Sequence, residues 1–485
     1  MNFNRINNIT GWIVCVIACA VYILTAEAGG SLWDCGEFVS SCFKLQIPHP
    51  PGAPLFVIMG RIFIVLFGDN PMTAAKAVNV MSALAGGFTS LFLFWTITHF
   101  ARKIYQKASK ELTGEQIFTI MAAGFVGAMA STFSDSLWYS AVEGEVYASS
   151  SFLTALVFWM ILKWEHAADE PGADRWIVLI FYVIGLSIGI HLLNLLTIPA
   201  IVMVYYFKRY HTTKWGIFWA FVVGCVITGF TQKFVIQYTI TGAGIFDRWF
   251  VNGLSLPFFS GFTTYFILLS AVIVIGIRKA DKLINNYTGF AIWLAAFIFL
   301  FAFPFISSVL TFLLFVAGTA LAIYASYHNR TKILNFLKLG LWCFAFMLIG
   351  YSTYLTTMIR SAANPSVDMY NVDNPMSLTG YLGREQYGDF PLIYGQTFAA
   401  DVKRTSDGLP VMNVKGTRWQ KGDKKYINIG DNIEYEYDAE DMMFLPRIWD
   451  ASNDQGHADY YRSWLGIDKD AKPTYIDNIR WAIGY

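Results

Sequence analysis

The stretch MTAAKAVNVMSALAGGFTSLFLFWTITHFARKIYQKASK, Met72 to Lys110, decides the fold. Met72 to Phe100 is apolar and longer than the roughly 20 residues a membrane span requires. It ends on Arg102, Lys103, Lys107 and Lys110, and a basic cluster at the end of a span marks the cytoplasmic side. An earlier apolar segment, 9–28, follows Arg5, which puts the N-terminus in the cytoplasm as well. Both basic points lie on one side only if the segment 53–67, short and carrying Arg61, does not cross. Residues 36–67 are therefore expected as two helices along the outer interface, broken at Pro48-His49-Pro50-Pro51-Gly52.

The same rule extends outward in both directions. Span 116–134 leaves the cytoplasm and 148–164 returns, with an external loop around Asp135–Tyr147. The run Trp176–Phe207 starts beside the polar break Glu165–Arg175 and ends at Lys208, Arg209 and Lys214, so it reads as a hairpin of two short helices with its apex near His191 and Asn194. Spans 215–232 and 262–277 follow, then an outward hairpin turning near Pro304, then 334–356. The expectation is an all-α polytopic bundle of about eleven spans, residues 1–360, with the N-terminus inside. A polar tail, 361–485, lies outside. The segment 9–28 lacks a cleavage site and reads as a retained helix.

Composition agrees. The chain has 485 residues, 55% hydrophobic and only 14% charged, against about 25% charged in a soluble domain; mean hydropathy is +0.45. A net charge of +1 gives no field for nucleic acid, which excludes a nucleic-acid partner. Cys15, Cys19, Cys225 and Cys343 sit in apolar spans as small hydrophobes. Cys35 and Cys42 lie outside them, where an oxidising compartment permits pairing. No Gly-rich nucleotide loop, CxxC pair, HExxH or GxSxG motif occurs at a credible position, so a cytosolic nucleotide-dependent mechanism has no support.

Four polar clusters gather on the outer face. Asp34 and Glu37 follow span 1 at i and i+3; they are either a base and its neighbour beside an apolar surface or simply an N-terminal cap. His49 sits in a proline-rigid turn; as a bare pattern it reads first as a solvated turn residue and only second as a donor to a phosphate or an acceptor. Glu143, Glu145 and Tyr147 occupy the second outer loop, as a sugar or metal site or as solvated acids. His191 and Asn194 mark a polar apex in an otherwise apolar hairpin, facing a cavity or bonding between helices. Arg61, Lys233, Arg248 and Arg360 are the cations near that side, where a lipid phosphate would need a partner.

In combination these stretches resemble one family. Trp33-Asp34-Cys35-Gly36-Glu37-Phe38, His49-Pro50-Pro51-Gly52-Ala53-Pro54-Leu55, Gly144-Glu145-Val146-Tyr147-Ala148 and Gly189-Ile190-His191-Leu192-Leu193-Asn194 are similar to the protein O-mannosyltransferase-like membrane glycosyltransferases. Asn374-Pro375-Met376, Arg384-Glu385-Gln386-Tyr387-Gly388-Asp389 and Pro391-Leu392-Ile393-Tyr394-Gly395 look like its bacterial branch. The resemblance implies a GT-C helical bundle in a bacterial inner membrane, with its active site and C-terminus periplasmic. It implies a polyprenyl-phosphate sugar donor, with mannose as the sugar, and Ser or Thr of an exported protein as acceptor. No metal and no cofactor beyond the lipid-linked donor are implied. Asp34 is then the base in an inverting displacement, with Glu37 beside it in the catalytic pair, where Glu37, like Glu145, holds the sugar or orients the acceptor. His49, Arg61 and His191 are candidates for the leaving phosphate, and Glu143, Glu145, Tyr147 and Asn194 for substrate contacts. Relatives tend to continue past Trp481-Ala482-Ile483-Gly484-Tyr485, so the expectation is a fragment, a split gene product or a short variant.

The alternative is a non-enzymatic lipid-linked glycan transporter or a structural subunit of an envelope export complex. A transporter should show midplane charges and paired broken helices; here the acids sit at loop positions and no internal repeat is evident. A ligase moving a whole glycan from a diphosphate lipid would require more outer arginines than the sequence supplies.

Overall fold

The computed structural model describes residues 2–106, 111–387, 391, 393–450, 455–469 and 471–484. Lys107 and Lys110 of the basic cluster, and Gly388, Asp389 and Leu392 of the quoted motifs, lie outside the described residues. The chain divides into two compact units, Met1–Gly383 and Arg384–Tyr485.

The first unit is helical. It runs α1 (Phe3–Thr25), α2 (Cys35–Lys44), α3 (Pro54–Leu66), α4 (Pro71–Gln106), α5 (Gly114–Thr132), α6 (Asp135–Val142), α7 (Val146–Ala167) and α8 (Arg175–Ile188). After a 3₁₀ turn, Leu192–Thr197, come α9 (Ile198–Arg209), α10 (Lys214–Phe230), α11 (Thr239–Leu254), α12 (Ser260–Leu283), α13 (Tyr287–Ala302) and α14 (Val309–His328). The unit closes with α15 (Arg330–Tyr351), α16 (Leu355–Ser361) and α17 (Pro375–Gly383). Among the described residues, nine helices are long and apolar enough to cross a membrane, or ten if the bent pair α5–α6 counts as one span. The protein is a multi-pass, all-α membrane protein.

The expected eleven spans included the two halves of 176–207 separately. The chain does break there, between Ile188 and Ile198, but α8 has 14 residues and is short for a span by itself. A second difference lies at 215–232. A π-helical segment, Thr231–Tyr238, joins α10 to α11 without interruption, giving 41 helical residues. No proline stands between Phe230 and Leu254 to stop the helix. It ends only at Ser255, in the left-handed conformation, ahead of Pro257. The segment 36–67 forms two short helices broken around the proline turn, as its sequence implies.

Helix α4 lies at the centre, packed against α1, α3, α5, α6 and α7. Lipid tails are as apolar as leucine, so helices in a bilayer associate through close packing and small residues. Gly86 meets Tyr22 and Ala141, and Gly87 meets Cys19. The Tyr22 hydroxyl donates to the Thr132 carbonyl at 2.7 Å, and Ser90 bonds Thr132 at 2.8 Å, tying α1, α4 and α5 together. A second contact is closer still. A Cβ on Gly185 of α8 would lie 2.2 Å from the Met347 carbonyl of α15, and one on Gly350 would lie 2.5 Å from the Tyr182 carbonyl. Two backbones meet there with nothing between them.

The second unit holds two antiparallel ribbons. β1 (Tyr394–Gln396) pairs with β4 (Met442–Phe444), and β2 (Met412–Lys421) pairs with β3 (Tyr426–Tyr435). Helices α18 (Gln455–Leu465) and α19 (Tyr475–Gly484) complete it. Its small core is Phe398, Ile448, Leu465 and Trp481, and Lys472 links Asp401 to the buried Asp441.

The α8–α15 contact makes a prediction. Gly185→Val drives a side chain into the Met347 backbone, so we expect a loss of about 1–3 kcal/mol, read as a lower midpoint of thermal unfolding in detergent. Ala320→Val, on α14, where no residue is buried, should leave the midpoint unchanged.

Candidate active site

The site begins where α1 ends. The chain turns at Trp33, which takes a positive φ of 67°, and α2 starts immediately after Asp34. Asp34 stands at the N-cap position, yet its side chain makes no capping bond. The capping reading therefore does not apply, and the carboxylate, 42% exposed, faces outward from the loop. Glu37, one turn on, binds His49 twice. One oxygen accepts from the His49 backbone N–H at 2.8 Å and the other meets the ring Nδ1 at 2.6 Å. His49 Nε2 then lies 4.0 Å from Asp34. Burial works against the Glu37 carboxylate, but the His49 ring and backbone bonds outweigh it and hold its pKa below the usual range.

The turn that presents His49 is built from its own sequence. The Gly52 N–H donates to the His49 carbonyl at 2.8 Å, and the Pro50–Pro51 bond is cis. Gly52 has a φ of 70°, and a Cβ there would meet the Tyr381 hydroxyl at 2.2 Å, so glycine is required on both counts. The Tyr381 hydroxyl donates to the Pro48 carbonyl and that of Tyr354 to the Gly52 and Ile188 carbonyls.

The loop between α6 and α7 closes on the one that carries Asp34. The Cys35 thiol donates to Glu143 at 3.5 Å and to Glu145 at 3.7 Å. Glu145, only 5% exposed, precedes α7. Burial pushes its pKa up to about 7, and the negative charges of Asp34 and Glu143 add to the effect. The Cys35 thiol is itself pushed well above its ordinary value by burial and by Glu145 and Glu143. Tyr147 stands two residues on, its ring centroid 5.5 Å from that of His191. The Leu193 backbone N–H donates to His191 Nδ1 at 3.1 Å, so in the neutral ring the proton sits on Nε2. Asn194 is fully buried; its Oδ1 lies 3.3 Å from Thr197 Oγ1.

The structure thus brings Asp34, Glu37 and His49 together, joins Glu143 and Glu145 to them through Cys35, and pairs Tyr147 with His191. Arg61 is directed elsewhere. Its guanidinium takes both oxygens of Asp69, at 2.6 and 3.1 Å, and the Phe43 carbonyl. Arg360 clamps the Leu45 and Lys44 carbonyls at the end of α2. Cys35 and Cys42 are free thiols, as are the other four cysteines; Cys42 packs against Gly60 and the Phe56 carbonyl.

Sequence reasoning missed Cys35 as the link between the loops. It also missed Lys76, which donates to the Ala26 carbonyl at 2.7 Å, and Asn79, which donates to those of Glu27 and Gly29 at 2.9 and 3.1 Å. Both were detectable as polar residues inside an apolar span. Asp34, Glu37 and His49 place three possible ligand atoms within 4.8 Å of one another. Both Glu37 oxygens are engaged by His49, however, which leaves two groups to ligate, fewer than a dedicated divalent site uses.

Every residue of this constellation lies inside a stretch with known relatives. Residues 34–214 match the family described as the protein O-mannosyl-transferase TMEM260 N-terminal domain. The N-terminal region of this chain is therefore similar to that protein O-mannosyl-transferase domain. Among curated O-mannosyl-transferase relatives, one from Dictyostelium discoideum is 24% identical over 149 residues, 30% of this chain and 16% of the relative. One from Mus musculus is 25% identical over 169 residues, 35% of this chain and 21% of its own length. The match thus spans about a fifth of these relatives or less. Residues 388–483 match a family of unknown function. No solved structure matches the chain.

The raised pKa of Glu145 carries a sign. Its folded value exceeds its unfolded one, so between the ordinary carboxyl range and about 7 the folded state binds more protons. Stability from this group is fully present below that window and falls as pH rises through it. We expect a stability loss on the order of 1–3 kcal/mol between pH 5 and pH 8 that Glu145→Gln abolishes. Thermal unfolding in nanodiscs at the two pH values checks this; parallel slopes for both proteins would contradict it.

Proposed function

We propose that this chain transfers a sugar, mannose by its family resemblance, from a polyprenyl-phosphate donor to Ser or Thr of exported proteins. In this reading the helical unit is a GT-C type bundle of a bacterial inner membrane, with the site on the periplasmic side. The observation that supports it most is the geometry at Asp34: a carboxylate that caps nothing, beside a histidine ring held in place by a second carboxylate.

The chemistry is a single displacement. The acceptor hydroxyl oxygen attacks the anomeric carbon while Asp34 takes its proton. The bond from that carbon to the phosphate oxygen breaks on the opposite face, so the configuration inverts and polyprenyl phosphate leaves. A phosphate needs no strong general acid to depart, but its developing charge gains from fixed donors. His49 serves there, its orientation set by Glu37, and His191 presents a second N–H. Arg61, committed to Asp69, does not reach this role without breaking that pair. Glu145, protonated near neutral pH, donates to a sugar hydroxyl without adding negative charge beside an anionic donor, and Tyr147 stacks against the sugar ring.

The test is transfer by variants in nanodiscs. Asp34→Asn should lower transfer about 10²-fold or more while the protein still inserts and binds donor lipid; full activity would remove Asp34 as base. Glu37→Gln should lower transfer less than Asp34→Asn, since it disturbs only the orientation of His49. Mass spectrometry of exported proteins, with and without this chain, should show loss of a hexose on Ser or Thr.

A further inference from the structure

The hairpin formed by β2 and β3 leaves its apolar residues in the open. Met412, Val414, Ile427, Ile429, Ile433 and Tyr435 are each between 43% and 64% exposed. The register sets Met412 opposite Tyr435 and Val414 opposite Ile433. Directly opposed residues of an antiparallel pair point to the same side, so these four share one face. The pair between them, Asn413 and Glu434, points to the other, because successive side chains alternate. Single exposed apolar residues are ordinary, but four adjoining on one face mark a surface that something covers; Ile427 and Ile429 lie beyond the register shifts that follow Val414 and Thr417.

The charges around the stripe indicate what does. Between Met412 and Tyr435 stand five basic residues, Lys415, Arg418, Lys421, Lys424 and Lys425, and three acids, Asp423, Asp431 and Glu434, with Trp419 among them; Lys415 is paired with Glu434 at 2.6 Å, so the positive excess lies toward the turn, where Lys421, Lys424 and Lys425 stand around Asp423. The chain as a whole is nearly neutral, at +1, so this is a local concentration. Lysine is depleted from protein–protein interfaces, yet four of the five cations here are lysines. Lysines beside an apolar face and a tryptophan suit a lipid headgroup layer, where the ammonium groups meet phosphates and the ring sits at the boundary. We propose that the β2–β3 hairpin is a peripheral membrane anchor, its apolar face set into an anionic phospholipid surface and its basic turn paired with headgroup phosphates.

The full chain in nanodiscs provides the test. The probe is a phosphatidylcholine carrying a diazirine near the glycerol end of one acyl chain, in discs with and without added phosphatidylglycerol. Adducts on α14, whose apolar side chains are exposed along the helix, serve as the internal reference. Relative to that reference, peptides covering 412–435 should be labelled in the phosphatidylglycerol discs. Labelling should fall about fivefold or more without the anionic lipid, in high salt, or in the K421Q/K424Q/K425Q variant. The wild-type comparison decides the matter without relying on the variant. An unlabelled hairpin beside a labelled α14, equal labelling in both lipids, or cross-linking of the hairpin to a second copy would each overturn the proposal.

Discussion

The polar face of the helical unit depends on how Glu37 holds His49. One carboxylate accepts from the backbone N–H and contacts the ring of the same residue, so it fixes the turn and the imidazole together. The turn is fixed again from below by the Tyr381 and Tyr354 hydroxyls. From its far side, the Leu55 N–H donates to the Gly189 carbonyl at 2.8 Å, which ties the start of α3 to the loop carrying His191. Three segments far apart in sequence are thereby held in register by a few bonds. A charged acceptor makes the Glu37 bonds stronger than neutral ones, and partial burial keeps water from competing for them.

The site is rich in acid and poor in cations. Asp34, Glu143 and Glu145 gather around the Cys35 thiol, and Arg61 is paired with Asp69. Burial, with the negative charges of Asp34 and Glu143 adding to it, pushes the Glu145 pKa up to about 7. A protonated Glu145 relieves the repulsion and becomes a donor. The other polar groups gathered there are the rings of His49 and His191.

Much of this was legible in the sequence. The basic ends of the apolar runs located the helices, and the proline turn located the break between α2 and α3. Asp34 and Glu37 stood out because polar residues beside a membrane are costly unless used, and His49 because prolines flank it. Their mutual geometry did not, since it depends on a Trp33 backbone conformation and on contacts from Tyr354 and Tyr381, each more than 300 positions away from the turn residues it bonds. Arg61 looked available because sequence cannot show that Asp69 folds back onto it. The continuous helix through Lys233 was missed because hydropathy reports the lipid-facing stretch and not where a helix stops. The role of Cys35 was hidden because a thiol between two carboxylates has no sequence signature.

The central claim is that one face of the molecule moves a sugar from lipid phosphate to a hydroxyl by direct displacement. The most direct measurement supplies purified chain with a synthetic polyprenyl-phosphate mannose of known anomeric configuration and a Ser/Thr peptide, and reads the product anomer by NMR. The account predicts a mannosylated peptide of the opposite configuration. A product of unchanged configuration, or donor bound with no peptide mannosylated, would contradict it.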